Sequence, residues 1–193
     1  AERVNDVPDT RDAETMRVIA QQYAWNIHYP GPDGKFGATR IDLVDEQDNP
    51  IGLDRNSQFA EDDFTTINQL HIPVNRKIRV DLSSKDVIHN FKLPELRVSQ
   101  DAIPGMVIPV HFTATSTSEE FLKTTVGTKR EGKGLEIACA QLCGLGHYRM
   151  KGYVTIHEED DYQAWLDEQA SYLEEEDGDD WGDDGDDWGD DDW

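Results

Sequence analysis

Hydrophobic and polar positions alternate most clearly from residue 67 onward, where Leu70, Ile72 and Val74 fall on one side of an extended segment and Gln69 and His71 on the other. A period of two predicts a half-buried strand. Residues 76–82, 87–93 and 107–115 continue the series, separated by Asn75, Ser83-Ser84 and Pro104-Gly105. Upstream, residues 16–29 carry the β-branched and aromatic content of one strand and end at the turn signal Pro30-Gly31-Pro32-Asp33-Gly34. Residues 40–44 read as a return strand, and residues 45–66, with Asp48-Asn49-Pro50 and Gly52, as a long loop insertion carrying one turn of helix. Downstream, residues 127–134 form a basic, glycine-rich connection, 135–138 a strand and 151–157 the last strand. In residues 158–173 the apolar positions Tyr162, Trp165, Leu166 and Leu173 predict an amphipathic helix. Several short strands punctuated by turns indicate an all-β sandwich with a short C-terminal helix.

Length and charge sharpen this into three regions. A chain of 193 residues has room for one domain with a sizeable core plus appendages. Residues 1–14 are polar and aperiodic, the character of a linker or the stub of a removed anchor; residues 15–173 form the domain, and residues 174–193 a tail of Asp, Glu, Gly and Trp. The tail holds 13 acids and no base, out of a net charge of −23. It cannot bury enough apolar surface to offset its ordering entropy and is expected to be disordered. The acidic balance disfavours nucleic acid and anionic membranes and favours a cationic protein partner. No run approaches the roughly 18 apolar residues of a spanning helix. The chain is therefore expected to be soluble as it stands and to meet a membrane only through an anchor outside it.

Candidate chemistry concentrates between Cys139 and Met150, where Cys139, Cys143, His147 and Met150 place two thiols, an imidazole and a thioether on one loop. Thiolate and thioether sulfur favour Cu(I), and imidazole serves either copper oxidation state. A mononuclear copper site needs one thiolate, so the second points to two sulfurs bridging two ions. Three other readings stay open from these residues: a mononuclear blue-copper carrier, a zinc site using the same cysteines and histidines, and a disulfide in metal-free protein exposed to air.

These residues resemble the dinuclear copper (CuA) motif of cytochrome c oxidase subunit II, C-x-E-x-C-G-x-x-H-x-x-M, with Gln141 in the place of Glu. Residues 83–91, ending Ile88-His89-Asn90-Phe91, are similar to the family's segment carrying a remote histidine, and Asp101-Ala102-Ile103-Pro104-Gly105 to its D-A-I-P-G turn. Gln21-Gln22-Tyr23-Ala24-Trp25-Asn26 resembles its aromatic first strand.

The resemblance implies a cupredoxin-like Greek-key barrel in which Cys139 and Cys143 bridge two coppers, His89 and His147 each bind one, Met150 is a weak ligand and Gln141 binds through its backbone carbonyl. It implies electron uptake from a c-type cytochrome near Tyr23, Trp25 and Asp86, and delivery to haem in oxidase subunit I, where oxygen is reduced. The setting it implies is a bacterial membrane complex, with this domain on the periplasmic face. The family's Glu also helps hold magnesium at subunit I; a neutral Gln141 is a poorer ligand for a hard cation, so magnesium is left unassigned. The other histidines, His28, His71, His111 and His157, are read as structural or surface residues.

Overall fold

The computed structural model describes residues 8–178. The expected disordered tail lies outside the described residues from residue 179 on, and the polar start of the chain lies outside them up to residue 7.

Ten strands make two five-stranded sheets. The first, in the order β3-β2-β1-β5-β8, contains β1 (Glu14–Gln21), β2 (Ala24–Tyr29), β3 (Phe64–Ile67), β5 (Lys77–Ser84) and β8 (Ile108–Thr113). The second, β4-β10-β9-β6-β7, contains β4 (Gln69–Pro73), β6 (His89–Leu93), β7 (Val98–Ala102), β9 (Leu135–Cys139) and β10 (Lys151–His157). Two pairs are parallel, β1 with β5 and β10 with β4; the remaining pairs are antiparallel. Alternate residues face inward, so Met16, Val18 and Ala20 of β1 meet Trp25, Ile27, Ile78, Val80 and Leu82 in one core with Leu70, Ile72, Phe91, Leu93 and Ile137 of the facing sheet.

Several elements differ from the sequence reading, each for a local reason. Residues 16–29 are two antiparallel strands folded at Gln22-Tyr23, with Val18 opposite Ile27; the reversal holds no Gly, Pro, Asn or Asp, so the sequence shows no turn there. Residues 40–44 form a turn of 3-10 helix, Ile41–Leu43, not a strand. Only one ladder bridge, Thr39 with Leu53, joins this segment to a partner, and Ile41 is left 91% exposed. The insertion runs from residue 45 only to 63, since Phe64 opens β3 beside β2; it contains hydrogen-bonded turns, such as Asp45 with Asn49, in place of a turn of α-helix, and covers the outer face of the first sheet, packing Ile51, Leu53 and Ala60 over Ile19. His28, fully buried, ties β2 to it through Asp63 at 2.6 Å.

Helix α1 (Ser118–Thr125) escaped the periodicity because it is short, yet its capping box is legible: Thr117 accepts from the Glu120 amide, and the Glu120 side chain accepts from the Thr117 amide. Helix α2 (Glu159–Gly178) occupies the expected place and continues past Leu173. Tyr162 is buried and Trp165 stacks on His71 at 4.1 Å, with His157 beside it. His71 and His157 hydrogen-bond to each other at 2.8 Å, so these two serve the helix packing.

Candidate metal centre

Three chain segments meet at one end of the sandwich. Strand β9 ends at Cys139 and β10 begins at Lys151, so the loop between them must reverse direction at the sheet edge. Its last turn, His147–Arg149, is 3-10 helix and returns Met150 to the core. The neighbouring strand β6 opens at His89, and the pairing of Phe91 with Cys139 brings the histidine alongside the loop. The strand expected over residues 87–93 begins only at His89; Val87 lies in the preceding turn and is exposed.

The tip of the β1–β2 hairpin closes the assembly from the other sheet. A Cβ on Gly146 would lie 2.5 Å from the Tyr23 ring, and one on Gly144 would lie 2.7 Å from the Tyr23 hydroxyl. Gly144 also has φ of +137°, a conformation that L side chains rarely adopt. These glycines let the loop lie against Tyr23, and Arg149 caps the same ring at 5.6 Å. Beneath them Trp25 is fully buried, edge-on to His89 at 6.1 Å and to Phe91 at 5.5 Å between ring centres. Its large ring fixes the floor of the site and offers no surface to a partner.

Six donors converge above that floor. The sulfurs of Cys139 and Cys143 are 3.8 Å apart and both cysteines are free. His89 Nδ1 stands 3.2 Å from Met150 Sδ and 4.0 Å from Cys139 Sγ; His147 Nδ1 stands 3.6 Å from Cys143 Sγ. Met150 Sδ lies 3.7 Å from Cys143 Sγ, and the Gln141 carbonyl 3.2 Å from Cys139 Sγ. A thiolate binds a late first-row ion at about 2.3 Å, so donors sharing one ion at near-tetrahedral angles stand roughly 3.8 Å apart. The 3.8 Å between the two sulfurs fits both of them on the same ion.

The surroundings are graded. His89, Met150 and Cys143 are buried, Cys139 and His147 are half-buried, and Leu142, Leu145 and Tyr148 of the same loop are exposed. Burial and the neighbouring Cys139 thiol push the Cys143 thiol up to about 11. A bound cation must displace that proton, which couples metal binding to proton release. Asp86, named above beside the electron-uptake residues, turns its carboxylate inward to His89 Nε2 at 2.8 Å. Although partial burial opposes it, hydrogen bonds from His89, Gln22 and Val87 hold this carboxyl below its ordinary range. Gln22 was not singled out by the sequence: its side-chain amide donates to the Cys143 carbonyl, and its backbone N–H to Asp86 at 2.7 Å.

Residues 15–156 match the family described as "Cytochrome C oxidase subunit II, periplasmic domain". The chain belongs to this family. Among curated relatives of cytochrome c oxidase subunit II, the alternative cytochrome c oxidase subunit 2 of Bradyrhizobium diazoefficiens is 34% identical over 162 residues, covering 83% of this chain and 53% of that protein. Cytochrome c oxidase subunit 2 of Cereibacter sphaeroides is 29% identical over 162 residues, or 80% of this chain and 48% of its own length. The chain thus spans about half the length of these subunit II relatives. The solved periplasmic domain of subunit II from Bradyrhizobium japonicum superposes with a TM-score of 0.56 at 26% identity, covering 86% of this chain and 99% of that one. A second solved form of subunit II, a mixed disulfide intermediate with a thioredoxin-like protein, superposes at 0.54 with 26% identity, covering 88% and 97%. The sandwich described above is accordingly the cupredoxin-like fold of subunit II, and His89, Cys139 and Cys143 form a site of the kind its copper centre requires. Among the described residues no helix is long and apolar enough to cross a membrane.

Proposed function

We propose that this domain holds a dinuclear copper centre that receives single electrons from a c-type cytochrome and passes them to subunit I of a haem-copper oxidase on the periplasmic side of a bacterial membrane. The observation that carries the reading is the buried Met150 thioether, 1% exposed, lying between His89 Nδ1 and Cys143 Sγ beside a second free thiol. A zinc site would leave that thioether without a role, and a single copper would leave one thiolate without one. Cys139, Cys143, His89, His147, Met150 and the Gln141 carbonyl would hold the copper pair, with His89 Nδ1 and Met150 Sδ in contact at 3.2 Å. When bound, the copper pair supplies reversible one-electron chemistry. The protein holds the donors in one arrangement for both redox states, and the floor of Trp25 and Phe91 keeps water from His89. The exposed Leu142, Leu145 and Tyr148 provide an apolar contact on an acidic domain, suited to a donor whose lysines surround an apolar patch. Oxygen reduction belongs to subunit I, and magnesium is not assigned because Gln141 replaces the family's carboxylate.

Loading needs both thiols reduced. The relative captured in a mixed disulfide with a thioredoxin-like protein supports reduction by such a partner, with the half-buried Cys139 the more accessible of the two thiols. Reconstitution of the reduced chain with copper is expected to give two coppers per chain and an electron spin signal shared over both nuclei. One copper, or a spin confined to one nucleus, overturns the reading; preferential retention of colourless zinc would favour a binding module.

A further inference from the structure

Two residues outside the donor set bind it together. Asp86 sits in the turn between β5 and β6, where its Oδ1 accepts from His89 Nε2 at 2.8 Å and from the Val87 amide at 2.7 Å. Its Oδ2 accepts from the Gln22 amide at 2.7 Å. Through Nε2 the carboxylate decides which imidazole nitrogen carries the proton, because a carboxylate only accepts. His89 is fully buried and its Nδ1 faces Met150 and Cys139. A proton on Nε2 therefore leaves the Nδ1 lone pair directed into the donor cluster. Gln22 extends the connection: its main chain is held by Asp86, while its side chain donates to the Cys143 carbonyl, a residue 121 positions away. The hairpin tip thus links the turn that holds His89 to the loop that holds the cysteines.

We infer that Asp86 and Gln22 are positioning residues of the metal centre, Asp86 fixing the Nε2–H tautomer of His89 and Gln22 setting the distance between His89 and the Cys143 loop. This rests on the copper reading above for its consequence, but the tautomer exists without metal. The role differs from docking of a cationic partner, since both Asp86 oxygens are engaged by donors inside the protein although the side chain is 31% exposed.

The test begins with the reduced, metal-free full chain labelled with 15N-histidine. In the unaltered protein His89 is expected as the Nε2–H tautomer; a proton on Nδ1 overturns the inference, even if every variant fails to fold. Asp86→Ala is expected to mix the tautomers, Asp86→Asn to keep the single form through its amide oxygen while its amide nitrogen, set against the Gln22 N–H, gives up that bond, and Gln22→Ala to leave the tautomer unchanged. After copper loading, Asp86→Ala and Gln22→Ala are each expected to weaken retention against a chelator by about 10-fold or more, the usual size for outer hydrogen-bond partners of ligands, while Asp86→Asn, which keeps the bond to His89 and gives up the one to the Gln22 amide, loses less than Asp86→Ala. If Asp86→Ala and Asp86→Asn both keep normal tautomer and retention and instead flatten the salt dependence of cytochrome oxidation equally, Asp86 is a docking charge and the inference fails. If the unaltered chain binds one copper while the tautomer result holds, the copper reading fails and the assignment of Asp86 stands.

Discussion

Met150 is held between His89 and Cys143 with almost no exposure, and the proposed copper reading makes its thioether a weak ligand that adjusts the metal without being needed to retain it. Met150→Leu removes the thioether and keeps the bulk; it is expected to keep both coppers and to raise the redox potential, checked by metal count and a potentiometric titration. Loss of both coppers would make the thioether a primary ligand. The side chains that the structure brings together at this end of the sandwich were named from the sequence, because those of the loop stand at short, fixed spacing and His89 lies in a recognisable block. Gln22 was not, for a physical reason: its hydrogen bonds to Asp86 and Cys143 span 64 and 121 positions, and no local pattern records such a contact. Asp86 was visible as an acid three residues before His89, but its inward direction is a property of the turn geometry alone.

Secondary elements were legible where alternation was strong, as in β4, β5 and β10, and illegible where neither alternation nor a turn residue marked them. The hairpin of β1 and β2 reads as one strand because its tip, Gln22-Tyr23, has no Gly, Pro, Asn or Asp to mark a turn, and edge strand β7, with its short polar sequence Val98-Ser99-Gln100-Asp101-Ala102, gives no signal. At this scale the loop's approach to Tyr23 makes a sharp test. Gly146→Ala places a Cβ within 2.5 Å of that ring, so the loop must shift; circular dichroism should show the fold intact and copper should leave to a chelator at least several-fold faster. Helix α2 carries a different expectation, through the histidine pair beneath Trp165. Burial, with His157 adding, pulls His71 down to about 4 from the ordinary 6.5, and burial also lowers His157 against the opposing pull of Asp161. Between pH 6.5 and 4 the unfolded chain binds a proton at His71 that the folded chain does not, so stability falls as pH drops through that window. Urea midpoints of metal-free protein at pH 7.5 and 4.5 should show this loss, and His71→Gln should reduce the difference between them.

Across the whole molecule, charge is the most uneven property. Removing residues 174–193 takes the formal charge from −23 to −10 and is expected to leave the copper spectrum unchanged. It should weaken association with a basic cytochrome only at low salt, since surface attraction fades beyond about 10 Å at 0.1 M ionic strength. A collapse of the fold would instead show that the C-terminal acids take part in packing. The insertion that seats Ile51, Leu53 and Ala60 over Ile19 has a wider result. Strand β1 lies between β2 and β5 within its sheet, faces the main core on one side and this smaller cluster on the other. Amide hydrogens of Val18 to Ala20 should therefore be among the last to exchange with deuterated solvent. Since the same strand ends beside Gln22, the slowest-opening part of the protein is also the part that reaches the sulfur cluster, and partial unfolding elsewhere can proceed while the metal end stays closed.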